Sequence, residues 1–586
     1  MSGSTGGSKT RKTKIRHLLL LTVSIAIGTA AAFGAILFRM LIEIFQNLFW
    51  PSGFTFVERV MGAPAWLIIA VPASAGLVAG MVITRVAPEI RGPGVSELIA
   101  AVAGKASIIR HRVTSLKVLV TSLLIGSGAS LGREGPVALI GASAGSSIAQ
   151  ILNFQPDMRR VCLASGAAAG IAATFNAPIA GTLFAVEIIL LDIQITHISY
   201  IVIASVVASV ISRTFWGDFP VFSAPDFYLF HHWELLVYLL LGVVSGLISI
   251  LFVRLIYGTD SLFRSIPIPE WTKPGIGGLL MGIIGLRLPQ VMGIGYEAVN
   301  MSLAGILEPV AALVLLGGKL FATALCIGSG MSGGVFAPSL VIGAATGSFV
   351  GSAVGYLFPG ATIIAGNYAL AGMGAVVAGT TLAPITAILT IFELTYSNRI
   401  ILPVMVSCIT SSMLVRLFFG YSVYEMQLLR KGVNIIRGHD AGILKHLFVN
   451  EVMTSDFEYL YTDDQLPVIV DRTAGSLYPH FVVLSRDRRL AGIISLKDLK
   501  GGMDRFEDLR EVVIAADIMT SDVITIRPTD DLETALNLFE NHRISFMPVT
   551  DALNPSFVTG ILKKDDLLRA YRERVLKTQM LSDRKK

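Results

Sequence analysis

From His17 to about Gly432 the chain alternates long apolar runs with short polar breaks, as in HLLLLTVSIAIGTAAAFGAILF and WELLVYLLLGVVSGLISILFV. Runs of this kind reach the roughly 20 residues that a helix needs to cross hydrocarbon, so the pattern predicts a bundle of membrane helices. Other stretches in the same region are cut short by Gly or Pro, among them GIAATFNAPIAGTLFAVEI and VVAGTTLAPITAILTIFEL. These predict helices that start or stop inside the membrane. From Arg437 onward charges become frequent and apolar runs shrink to four or five residues, as in PVIV and FVVL, the texture of a water-facing α/β region.

The interrupted stretches match each other. At an offset of 206, Thr174, Ala177, Pro178, Ile179, Leu183 and Glu187 fall on Thr380, Ala383, Pro384, Ile385, Leu389 and Glu393. At an offset of 202, GASLGREGPVALIGASAG (128–145) falls on GMSGGVFAPSLVIGAATG (330–347). Two matches in the same order predict a duplicated membrane unit with a binding site between the copies. A helix that starts within the membrane aims unpaired N–H groups and about half a positive charge beyond its first turn, which suits an anion. Pro136, Pro178, Pro338 and Pro384 suit first helical turns. Glycines alone also permit tight helix packing without any ligand; the duplication and the proline positions together point to the anion site.

Composition narrows the class. At 586 residues and 53% apolar, the chain exceeds what one soluble core holds. A formal net charge of +6 is small for this length and gives no ground for a nucleic-acid partner. Lys9, Arg11, Lys12, Lys14 and Arg16 precede the first run. The positive-inside rule therefore expects residues 1–16 to be a cytoplasmic tail of a multi-pass protein in a cell (plasma or inner) membrane, with both termini cytoplasmic. The first run is too long for a signal peptide. Cys162, Cys326 and Cys408 lie in apolar sequence without metal-ligand spacing and read as packing residues, so no metal site is expected. No HExxH pair or GxxxxGK[ST] loop supports an enzyme, and the interrupted segments are glycine-rich rather than acidic, unlike a divalent-cation path.

GREGP at 132–136, GVFAP at 334–338 and Tyr424 in FGYSVYEMQLL occur in order with the internal repeat, and together they resemble the CLC family of chloride channels and chloride/proton antiporters over nearly the whole chain. The resemblance implies a polytopic α-helical membrane protein: a CLC-type inverted repeat with broken, partly spanning helices over 17–432, its halves at about 17–225 and 226–432. It implies a homodimer in the lipid bilayer with one pore per subunit. By the same resemblance, the amides of Val335 and Phe336 and the Tyr424 hydroxyl hold dehydrated chloride or another small anion. Pro93, Gly94, Arg133 and Gly135 belong to the same anion site, and Glu134 is the gate, leaving on protonation or displacement. Physics agrees on Glu134, since a carboxylate in a membrane is expensive and, near helix N-termini, competes with chloride for the same positive potential. A structural pair with Arg133 is disfavoured because adjacent helical residues do not face each other.

Two departures from the family pattern shape the functional expectation. Antiporters of the family place a proton-passing glutamate where this chain has Ile188, and an alkyl group carries no proton. The expected function is therefore a voltage- or pH-gated anion channel, with a chloride or nitrate/proton antiporter of the same fold as the alternative. The family's Gly-Ser-Gly-Ile-Pro is altered here to GPGVS at 92–96, so Pro93 removes a hydroxyl donor and Ser96 replaces the closing proline. Pro93 resembles the pattern of nitrate-preferring members, and nitrate is expected to permeate beside chloride. Glu187 and Glu393, related by the repeat, each follow an apolar helix and read as structural helix-end groups.

The water-facing region has its own repeat: VMTSDFEYLYTDDQL (452–466) matches IMTSDVITIRPTDDL (518–532), and GIISLKDLK (492–500) matches GILKKDDLL (560–568). This resembles a tandem pair of CBS domains, at 447–511 and 512–575, after a linker at 433–446 and before a tail at 576–586. Such pairs often bind an adenine nucleotide, and the resemblance puts Ser495 with Asp498, and Lys563 with Asp566, at that position; no cofactor is required. An Asp near a helix start is equally an ordinary cap, in which case the pair serves dimerisation or assembly. Helical sequence from Tyr424 to His446 leads from the pore tyrosine to the first CBS unit.

Overall fold

In the membrane region the apolar runs become helices α1 (Thr5–Phe49), α2 (Phe56–Met61), α3 (Ala65–Arg85), α4 (Val95–Ala103), α5 (His111–Gly126), α6 (Glu134–Ile151), α7 (Pro156–Phe175), α8 (Pro178–Phe184) and α9 (Ile198–Trp216). The order then returns as α10 (Glu234–Ser265), α11 (Lys273–Arg287), α12 (Tyr296–Leu303), α13 (Pro309–Gly328), α14 (Phe336–Leu357), α15 (Ala365–Thr381), α16 (Pro384–Thr395) and α17 (Ile401–Phe418), followed by α18 (Val423–Arg430). The computed structural model describes residues 5–103, 107–191, 198–223, 233–358, 364–397, 399–431, 444, 447–474, 476, 479–496, 498, 512–542, 544–551 and 554–571, in two compact units divided between Ile435 and Ile436. Among the described residues seven helices are long and apolar enough to cross a membrane, and the segments Pro178–Leu190 and Pro384–Thr395 are shorter apolar helices. The first of these continues α8 through a π-helical turn at Ala185–Leu190. The basic segment is helical from Thr5, continuous with α1.

Packing repeats with the sequence. Helix α6 lies on α7 as α14 lies on α15, and α1 on α9 as α10 on α17, while α3 packs on its own counterpart α11 and α8 on α16. Contacts between equivalent elements define an approximate two-fold axis. Glycine is what lets α6 and α7 approach: a Cβ on Gly141 would fall 1.9 Å from the Gly166 carbonyl oxygen. The axis passes between Gly132 and Gly334, equivalent residues that exchange backbone hydrogen bonds, Gly132 N to Gly334 O at 2.8 Å and Gly334 N to Gly132 O at 2.7 Å. The fold is thus a duplicated helical unit whose broken helices α6 and α14 start beside the axis.

In the second unit the alternating apolar runs become β1 (Tyr459–Tyr461), β2 (His480–Leu484), β3 (Leu490–Ser495), β4 (Phe546–Thr550) and β5 (Val558–Lys563), with α19 (Leu466–Ala474), α20 (Ala515–Ile518) and α21 (Leu532–His542). β2 pairs in parallel with β1 and antiparallel with β3, and β4 pairs antiparallel with β5. The two copies complete each other's backbone pairing. Thr454 bridges Ile561 as Thr520 bridges Ile493, and Leu466 N donates to Val513 O at 3.0 Å as Leu532 N donates to Leu447 O at 2.9 Å. Apart from Leu444, the expected linker 433–446 lies outside the described residues, as do 499–511 and 576–586.

Candidate anion site

Helices α6 and α14 each begin two residues past the Gly132–Gly334 bridge, so both N-termini deliver unpaired amides to the axis. The Glu134 side chain turns from its own helix to the other copy: Oε1 accepts from the Ala337 amide at 3.0 Å. Its Oε2 rests on the two axis glycines, where a Cβ on Gly132 or Gly334 would come within 2.1 or 2.3 Å of it. Oε2 is buried and has no hydrogen-bond partner. The carboxylate therefore sits on the positive end of α14, a position with the chemistry of an anion site.

The other expected residues gather around it, each through a specific contact. Pro93 and Gly94 form the loop before α4, and this loop touches the first turn of α6, because a Cβ on Gly135 would lie 1.8 Å from the Pro93 carbonyl oxygen. Gly94 holds φ at +92°, and a Cβ there would meet the Lys117 side chain at 2.7 Å, so both conformation and space require glycine. The loop is tied across the axis by Gly92 N to Met331 O and Gly333 N to Gly92 O, both at 3.3 Å. Val335 precedes α14, and Phe336 directs its ring into an aromatic cluster with Phe175 and Phe184, at 5.7 and 6.5 Å between centroids. Tyr424 is buried on α18, which packs on α4. Arg133 turns away from Glu134: its Nη2 donates to the Thr174 carbonyl at 3.1 Å, a terminal acceptor of α7, and its guanidinium lies over Tyr296 at 5.2 Å.

Sequence reasoning did not single out Ala337, whose amide meets the carboxylate, nor Lys117 and Lys319. Both lysines are fully buried. Lys117 Nζ donates to the Ile90 and Gly92 carbonyls at 3.1 and 3.2 Å, and Lys319 Nζ donates to those of Val291 and Gly293, both at 3.0 Å. They pin the two loops that precede α4 and α12, at equivalent places. The offset of 202 that pairs Gly132 with Gly334 also pairs these lysines, so extending that alignment upstream would have found them. In the sequence Ser96 reads only as an irregularity of the loop motif. Its hydroxyl donates to the Tyr424 carbonyl at 3.2 Å and to Gln427 Oε1, fastening the start of α4 to the tyrosine helix.

Glu187 and Glu393 form a reciprocal pair of helix caps. Glu393 accepts from the Ile179 and Ala180 amides of α8 at 3.0 and 2.7 Å. Glu187 accepts from the Ile385 and Thr386 amides of α16 at 3.3 and 2.7 Å and from the Thr386 hydroxyl at 2.7 Å. Each copy thus neutralises the broken helix of the other. Ile188 is buried in the main apolar core on the π-helical turn.

A family model described as voltage gated chloride channel matches residues 75–416, and one described as CBS domain matches 449–503 and 515–573. The chain belongs to the CLC family. As a CLC protein it is an anion transporter, not an enzyme. It is 35% identical over 425 residues to a ClcB-like protein of Ralstonia nicotianae named as a chloride channel protein, covering 71% of this chain and 98% of that one. It is 30% identical over 438 residues to the H(+)/Cl(-) exchange transporter ClcA of Salmonella agona, covering 72% and 92%. Among solved structures, a slow cyanobacterial Cl-/H+ antiporter matches at 26% identity and a TM-score of 0.65, over 70% of this chain and 97% of that chain. The fold of a eukaryotic CLC transporter matches at 21% identity and a TM-score of 0.69, over 94% and 98%.

In the CBS pair of this CLC protein, Ser495 and Asp498 bond each other: Ser495 N and Oγ donate to Asp498 Oδ2 at 2.9 and 2.6 Å, the arrangement of a helix cap. Lys563 ends β5 and Asp566 follows it. His480 and Phe546 stack at 5.1 Å and pair in register with Ser495 and Lys563, so the two expected pairs stand at neighbouring strand ends.

Proposed function

We propose that this CLC protein exchanges chloride, and nitrate with it, for protons, with Glu134 as both gate and proton carrier. The observation that carries this reading is the Glu134 carboxylate seated on the Ala337 amide at the start of α14. Carboxylate and permeating anion compete for that positive potential, so an anion passes only when the carboxylate leaves, and a protonated carboxyl leaves without its charge. Relatives named H(+)/Cl(-) exchange transporters support coupling. Pro93, which offers no donor to the anion, supports nitrate as a second substrate, since nitrate gives up water more easily than chloride.

Ile188 favours a second reading, a passive voltage- or pH-gated channel. Its neighbour Glu187 is engaged through both oxygens on α16, which supports a capping role over a proton relay. Sealed liposomes with a chloride gradient and a pH-sensitive dye separate the two. Uphill proton movement supports the exchanger; chloride flux without it selects the channel. We also propose, from the resemblance to the CLC family, a homodimer with one path per subunit, and cytoplasmic termini, because Lys9 to Arg16 precede the first span. For the CBS pair, adenine nucleotide binding at the Ser495 and Lys563 strand ends is a proposal that calorimetric titration of the whole protein with ATP, ADP and AMP tests; no heat with any of them removes it.

A further inference from the structure

Three buried polar atoms without hydrogen-bond partners belong to one cluster at the gate: Glu134 Oε2, Arg133 Nε and the Tyr296 hydroxyl. Arg133 is 8% exposed and Glu134 1%. Leaving a buried donor or acceptor unpaired is costly, and here two donors are left unused on the side of Arg133 while one carboxylate oxygen lacks a donor. Tyr296 is the first residue of α12, the counterpart of α4 in the second copy. Its position is held on three sides. Lys319 fixes the Val291 and Gly293 carbonyls just before it, Phe222 packs edge-on at 5.0 Å, and the Arg133 guanidinium lies 5.2 Å from the ring centroid. Arg133 is in turn anchored through Nη2 on Thr174 O, which leaves Nε uncommitted.

We propose that Tyr296, beside Arg133, is the docking position of the displaced gate: when the Glu134 carboxylate leaves the Ala337 amide while still ionised, the Tyr296 hydroxyl and Arg133 Nε receive it. This rests on the reading of Glu134 as the gate. The move satisfies all three orphaned atoms at once and vacates the start of α14 for an anion. It is a positioning role, since Tyr296 acts on transport through Glu134.

The groups that face Glu134 include Arg133 on its own helix, Tyr296 on α12, Lys319 on α13 and Tyr424 on α18. Of the other helices packed on α6, α1 brings Arg39, which faces Arg133, and α5 brings Lys117, which has Glu97 of α4 at 3.9 Å and is bonded to the loop carbonyls. Tyr296 and Arg133 lie side by side and each has a fully buried donor without a partner, so together they offer two donors to one carboxylate.

The test is Tyr296→Phe, which keeps the ring and its packing and removes only the hydroxyl. Chloride flux is measured in liposomes at pH 7.5 and pH 4.5, in the parent and in Glu134→Ala. At pH 7.5, Tyr296→Phe should slow flux about two- to tenfold, the effect of one lost hydrogen bond. At pH 4.5 the gate leaves as a neutral acid, and the difference should shrink to within about a factor of two. In Glu134→Ala the substitution should have no effect at either pH. The proposal is overturned if Tyr296→Phe matches the parent at pH 7.5, or if it slows Glu134→Ala by the same factor, which would assign the hydroxyl to the anion itself. Failure of the gate reading appears separately, as a Glu134→Ala protein whose flux and pH dependence equal the parent's.

Discussion

The two copies of the membrane repeat place their central helices alike and start them with different chemistry. Helices α6 and α14 both follow a glycine of the axis bridge, and both carry proline at their third position, Pro136 and Pro338. The first residue is Glu134 in one and Phe336 in the other. Phe336 stays within its aromatic cluster, whereas Glu134 crosses the axis to the amide of the second copy. The caps behave in the opposite way: Glu187 and Glu393 keep the symmetry, each bound to the helix start of the other copy. The contrast separates two uses of a buried carboxylate. Where both copies carry it, it balances a helix terminus; where only one does, a site for an anion is left contested by a titratable group.

Replacing the asymmetric carboxylate should have the largest effect. Glu134→Ala removes a charge-assisted hydrogen bond of about 1.5–3 kcal/mol from the closed state, so chloride flux in liposomes at pH 7.5 should rise on the order of ten- to a hundredfold and become pH-insensitive. Complete loss of transport would show that the carboxylate carries a cation or proton and does not block an anion. The symmetric carboxylates should instead cost stability. Glu187→Ala and Glu393→Ala each strand helix-start amides, for about 1–3 kcal/mol apiece. Glu187→Ala should be the more damaging, because the Thr386 hydroxyl also loses its acceptor. Thermal unfolding in detergent measures both, and a large transport defect with unchanged unfolding would break the distinction between the two kinds of carboxylate.

A smaller effect tests the loop that α6 touches. Pro93→Ser restores a donor to that loop, and the nitrate/chloride permeability ratio should fall about two- to tenfold, the worth of one hydrogen bond. An unchanged ratio would detach Pro93 from selectivity. The smallest effect lies in the tail. Burial against Phe546 holds the His480 imidazole below its ordinary value, partly opposed by Asp498. The unfolded chain then binds a proton that the folded tail does not, so stability is full above about pH 6.5 and declines as pH falls toward the folded value. The protection factors of the β2 amides in the whole protein, measured against the intrinsic exchange rate at each pH, should fall slightly between pH 7.5 and 5.5, and His480→Phe should abolish that fall.

Much of the site was legible because it is carried by local chemistry. Glycine and proline before apolar runs mark helix starts wherever the chain goes, and a repeat offset is a property of the sequence alone; both led to Glu134, Phe336 and the paired helix ends. Ala337 was passed over because backbone amides look alike in sequence, and which of them meets a carboxylate depends on the angle at which α14 meets the axis. Ser96 looked like a lost proline, while its partners, the Tyr424 carbonyl and Gln427, lie more than three hundred residues away.

The sequence by itself determined the duplicated membrane unit, the broken helices, the paired tail and the two adjacent positions, Arg133 and Glu134, where the matched helix starts differ by a charge, because hydropathy period, helix-breaking residues and internal matches need no partner to be read. Only the tertiary structure decided where Arg133 points, that Glu187 and Glu393 cap one another's helices, and that Tyr296 stands beside the gate with an unused hydroxyl. These are contacts between segments far apart in the chain, most of them across the two-fold axis, and their free energy depends on distance and on exclusion of water, neither of which exists until the helices are packed together.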